Sequence, residues 1–75
     1  MPSARDVAKD HALTIGSQLA SIEDSIARTM SIVMQAAIHH QPGVLETAIR
    51  EAEMIDDQAT ALVVDLRRML GAMRA

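Results

Sequence analysis

The chain has 75 residues, a formal net charge of −3, no cysteine and no aromatic residue, which leaves room for one domain with a thin core. The missing cysteines exclude disulfides and thiolate metal sites, and the missing aromatics remove the stacking platforms of single-stranded nucleic-acid binders. The largest cationic cluster, Arg67-Arg68 with Arg74 nearby, is too small for a nucleic-acid-binding stripe. No apolar run approaches the ~20 residues of a membrane span.

In chain order, Met1 to Asp6 lacks the apolar core of a secretory signal, so a cytoplasmic location is expected. Ser3 followed three residues later by Asp6 reads as a capping box with Asp in the usual Glu place, starting a first helix. That helix is predicted over about residues 3–40, with apolar or small residues at Ala8, Ala12, Ile15, Leu19, Ile22, Ile26, Thr29, Val33 and Ala36. Gly16 lies inside it and weakens it by about 1 kcal/mol relative to alanine; a continuous helix is still expected. Gln41-Pro42-Gly43 is the one strong punctuation and predicts a turn over 41–43.

A second helix is predicted over about 44–73. Leu45, Ala48, Ala52, Ile55, Ala59, Leu62, Leu66, Met69 and Met73 alternate spacings of 3 and 4 without a break, the pattern of a helix packed along a partner. So short a connection forces the helices antiparallel. The expected fold is therefore all-α: residues 1–75 as a single antiparallel hairpin, assembling into a four-helix bundle or a higher helical oligomer. Folding about Pro42 predicts Arg28 opposite Asp56 and Asp57, and Asp10 near Arg74.

The apolar content exceeds what two helices can hide from each other. Met30, Ile32, Met34 and Ile38 lie off the predicted seam of the first helix. Ile49, Met54, Val63, Val64 and Leu70 lie off that of the second. Helices apolar on several sides expect burial on several sides, so these nine residues are the predicted partner interface. Met30, Met34, Ile38, Ile49 and Met54 are expected to form one patch. Scattered exposed apolar side chains are also normal on soluble proteins.

The polar residues offer little chemistry. His39 and His40 are adjacent on a helix, so they point about 100° apart and do not converge on a metal; a helix C-terminus is a favourable place for histidine in any case. His11 has no phosphotransfer context. Glu23-Asp24 and Asp56-Asp57 would need a cleft to act as acid and base, and a hairpin has none of its own. No base is placed to activate Ser17, Ser21, Ser25 or Thr29. The expectation is a non-enzyme with no metal or cofactor. It would pair with a copy of itself, most simply as a dimer, or with a partner's helix, serving as adaptor, chaperone or anti-activator. Arg28, His39 and His40 are candidate polar contacts. The alternatives are a subunit of a helical filament or ring, and an oligomeric regulator whose small-ligand pocket forms between subunits.

Leu45 to Ile55, following a helix and a Pro-Gly turn, resembles the second helix of the small co-chaperones of type III secretion systems. The layout of helix, proline-containing turn and C-terminal helix also resembles the needle subunits of those systems. The likeness covers about half the chain, largely at heptad positions. It implies a helical hairpin, and for the co-chaperones one that holds the needle subunit, with a second chaperone, before export.

Overall fold

A computed structural model describes residues 3–74. Two long helices, α1 (Ala4–His39) and α2 (Pro42–Arg74), lie antiparallel in a rod of 57 × 15 × 14 Å. Among the described residues there is no strand. The fold is an all-α helical hairpin.

Each end of α1 is closed by its own chemistry. At the start, the Ser3 hydroxyl accepts from the Asp6 N–H at 3.2 Å, and the Asp6 carboxylate accepts from the Ser3 N–H at 3.4 Å. Two N–H groups that a helix start leaves without intrahelical partners are thereby satisfied. Gly16 does not break the helix.

At the other end, His40 takes the left-handed conformation with φ 49°, a position usually filled by glycine. Its N–H and that of Gln41 both donate to the Ala36 carbonyl, which closes the last turn. Pro42 then opens α2, where its missing N–H costs nothing. The Gln41 carbonyl accepts from the N–H groups of Val44 and Leu45 at 3.1 and 3.3 Å. The connection is thus His40-Gln41, and α2 starts two residues before the predicted 44, because proline is a good first helical residue.

Burial fixes which way each helix faces. In α1 the shielded positions are Ala8, His11, Ile15, Gln18, Ile22, Ser25, Thr29, Ile32 and Ala36, with Val7 beside them. In α2 they are Val44, Ala48, Glu51, Ile55, Gln58, Leu62, Asp65, Met69 and Ala72, with Thr47 and Ala59 beside them. Both runs alternate 3 and 4, as the predicted seams did, but every second member is displaced by one residue. His11, Gln18, Ser25 and Ile32 replace Ala12, Leu19, Ile26 and Val33; Val44, Glu51, Gln58, Asp65 and Ala72 replace Leu45, Ala52, Ala59, Leu66 and Met73. The most buried side chains are small, with Ser25 at 1% and Ala48 at 3% exposure, so the backbones approach closely in the half nearest the turn.

Polar bonds hold this rotation. The Gln18 amide donates to the Asp65 carboxylate, and the Gln58 amide donates to the Ser21 hydroxyl at 3.2 Å. The Ser25 hydroxyl donates to the Ser21 carbonyl at 3.1 Å and accepts from Arg28 at 3.3 Å. Arg28 therefore does not reach Asp56 or Asp57. The predicted pairing of Arg28 with those carboxylates, and of Asp10 with Arg74, is not formed: among the described residues the ion pair present is the local Arg68–Asp65 contact. Arg28 and Asp56 sit on opposite long sides of the rod.

Candidate interaction face

With the seam labelled as heptad positions a and d, Ala12, Leu19, Ile26 and Val33 of α1 occupy position e. So do Leu45, Ala52, Ala59, Leu66 and Met73 of α2. In an antiparallel pair the two e rows flank the same side. Position b lies about 50° further round each helix. It adds Gly16, Glu23, Met30 and Ala37 from α1, and Ile49, Asp56, Val63 and Leu70 from α2. The charged members of this face are Arg5 and Lys9 near the open end, and Glu23 and Asp56 along the rod.

The large side chains here are uncovered: Ile26 is 50% exposed, Met30 61% and Leu66 47%. By contrast, Ile15 is the one large apolar residue among the buried core. Near the turn the face dips into an open apolar pocket of about 410 Å³ between the helices, lined by Val33, Ala37, His40, Pro42 and Leu45.

The opposite side has another character. Its flanking row is Thr14, Ser21, Arg28 and Gln35 in α1, and Thr47, Met54, Ala61 and Arg68 in α2. A shallow polar notch there is lined by Gln18, Ser21, Gln58 and Ala61. The buried Oε1 atoms of Gln18 and Gln58 have no hydrogen-bond partner among the described residues, nor does Oε2 of Glu51.

The sequence-predicted interface residues are divided by this geometry. Met30, Ile49, Val63 and Leu70 share the apolar face. Ile32 is half-buried inside the hairpin seam. Met34 lies on the back of α1, Ile38 is exposed near the turn, and Met54 and Val64 are exposed away from the face. The single patch expected of Met30, Met34, Ile38, Ile49 and Met54 is therefore split, because the one-residue rotation of both seams sends Met54 to the polar side. The e row, with Leu19, Ile26, Val33, Leu45, Leu66 and Met73, is exposed on this face, although its 3–4 spacing reads in the sequence as part of the seam.

Of the candidate polar contacts, His40 lines the pocket and His39 is exposed at the helix end. Arg28 lies twelve residues earlier than His40, about 18 Å along the axis, and on the polar side; the three do not come together. Among the described residues no three His, Asp or Glu side chains converge as metal ligands, and no helix is long and apolar enough to cross a membrane.

The fold and face define a class, a two-helix hairpin whose two apolar rows run along one side. No family model, curated protein or solved structure matches the chain.

Proposed function

We propose that this chain is a non-catalytic helical interaction module, half of a helical bundle that completes its core by docking its apolar face on helices of another protein chain. The observation that carries this reading is the double use of each helix. Helices of four-helix bundles bury positions a, d and e because each has two neighbours. Here a and d are used inside the hairpin, while the e rows of both helices, apart from the half-buried Ala59, stand uncovered on the same side.

A face of about 57 by 15 Å projects roughly 850 Å², close to what each partner contributes to a standard-size stable interface. Asp24 and Asp57 are exposed away from the face, as a solvated surface would have them. The module fits the adaptor, chaperone or anti-activator roles, and the resemblance of Leu45 to Ile55 to secretion co-chaperones points the same way.

The test is substitution on the face. Ile26→Asp should leave the helical content measured by circular dichroism near that of the parent while abolishing association seen by sedimentation. A parent protein that sediments as a folded monomer and captures no helical partner sinks the reading.

A second reading, a subunit of a filament or ring, draws on Leu13, Met34 and Ile38. These are exposed outside the face and would supply a second, heterologous contact. Electron microscopy at rising concentration separates it from a closed assembly.

A further inference from the structure

We infer that the occupant of the apolar face is a second copy of this chain, docked with the two turns at opposite ends so that α2 packs antiparallel on α2 of its copy. This rests on the docking role proposed above and names its partner and orientation. Two independent features of α2 carry it.

The first is charge. Beside the e/b row of α2, away from α1, runs the heptad row f: Glu46, Glu53, Thr60, Arg67 and Arg74. All five are exposed, and none of the four charged ones is in an ion pair within the hairpin among the described residues. When e and b form an interhelical seam, f is the flanking row, the place where coiled coils form the ion pairs that set orientation.

The row is antisymmetric about Thr60. Two copies of α2 laid antiparallel with their Thr60 residues in register put Glu46 beside Arg74 of the second copy, and Glu53 beside Arg67 of the second copy. Symmetry repeats both pairs, so all four charged positions are matched on each chain. Sliding by one heptad either way leaves charges unmatched. With both turns at the same end, α2 would instead face α1 of the second copy, whose f row is Asp6, Leu13, Ala20, Ala27 and Met34. Its single charge, Asp6, lies at the open end and leaves at least three of the four charged positions of α2 without a partner.

The same polarity exists in the whole rod. The half nearest the turn holds seven of the ten carboxylates and two of the seven cations. Opposed turns bring that half over the cationic half of the other chain.

The second feature is shape. The e row of α2 reads Leu45, Ala52, Ala59, Leu66, Met73, small in the middle and large at both ends. An antiparallel self-pairing brings the helices closest at Ala59 and sets Ala52 against Leu66 of the second copy. It carries Met73, 64% exposed on the open end, toward the apolar pocket at Val33, Ala37, Pro42 and Leu45 of the other chain. Face and pocket are thereby filled by one symmetric contact, which closes the assembly as a dimer.

The experiment is a charge exchange on the full chain. Glu46→Arg with Glu53→Arg makes one variant, and Arg67→Glu with Arg74→Glu the other. Each alone should raise the dimer dissociation constant at least about tenfold, with helicity by circular dichroism confirming that it still folds. Mixing the two should restore association as a heterodimer. Independently, Thr60→Cys should cross-link to itself under mild oxidation.

A wild-type dimer that Leu66→Asp dissociates, but that neither charge exchange weakens and Thr60→Cys does not cross-link, overturns the orientation while leaving the docking face standing. A monomeric wild type overturns the self-pairing. Indifference of a wild-type dimer to Leu66→Asp overturns the docking face itself.

Discussion

Two long sides of one hairpin, built from the same pair of helices, have opposite chemistry. On one, Leu19, Ile26, Val33, Leu45 and Leu66 stand uncovered, with charge at Glu23 and Asp56 along the rod and at Arg5 and Lys9 by the open end. On the other, Ser21, Gln18, Gln58 and Asp65 bond across the helices, and Arg28 and Arg68 reach solvent. Burial of apolar surface contributes roughly 25 cal/mol per Å², whereas a hydrogen bond exchanged for one to water contributes a net ~1 kcal/mol. The polar side thus gains little from being covered, and the apolar side gains much. The difference marks a direction: on the reading proposed above, the polar side is the outside and the apolar side is the one a partner covers.

The sharpest way to break this comparison is to place the same charge on each side. Leu66→Asp should raise the dissociation constant of the assembly about 100-fold or more, equivalent to ~2.7 kcal/mol. Met54→Asp, on the polar side, should change it by less than about threefold. Sedimentation of the two at matched concentration reads the contrast directly, and equal effects would remove the distinction between the sides.

A smaller effect is expected from the polar side's own cost. Gln58 carries a buried Oε1 with no partner among the described residues, and leaving such an atom unbonded costs of order 1 kcal/mol. Gln58→Leu removes this atom and also the bond to Ser21, so the two effects should nearly offset and the stability read from the thermal midpoint should change by less than about 1 kcal/mol. If the polar notch also keeps that side from pairing, the same variant should self-associate less selectively, forming species larger than the parent's on a sizing column.

Smallest is a change at the end of α1. His40 holds a left-handed φ of 49°, which a Cβ-bearing residue adopts at a cost of roughly 1 kcal/mol. His40→Gly should stabilise the hairpin by up to about that amount in denaturant titration. A loss of stability would mean that the His40 side chain, at the rim of the apolar pocket, contributes more by packing than its backbone costs.

Much of this molecule was already determined by the order of its residues. Ser3 and Asp6 close the start of α1, Gln41-Pro42 separates two helices, and the unbroken alternation of 3 and 4 requires each helix to pack along another. Those signals are local, resting on hydrogen-bond reach, fixed φ angles and helical period. The facing of the helices is not local. Position a, with Ile15, Ile22, Ala48, Ile55 and Leu62, belongs to two rows at once: one completed by Leu19, Ile26 and Leu66, the other by Gln18, Ser25 and Asp65.

Both rows alternate 3 and 4, so periodicity cannot choose between them, and hydrophobicity alone chooses the first. Only with both helices in place are the small side chains of Ser25 and Ala48 buried, and the Gln18–Asp65 and Gln58–Ser21 bonds become possible. The tertiary structure therefore selects the second row inside the hairpin and leaves the first, more apolar one outside. The physical reason is that cross-helix polar bonds depend on residues 37 and 47 positions apart in the chain, a separation that no local pattern encodes.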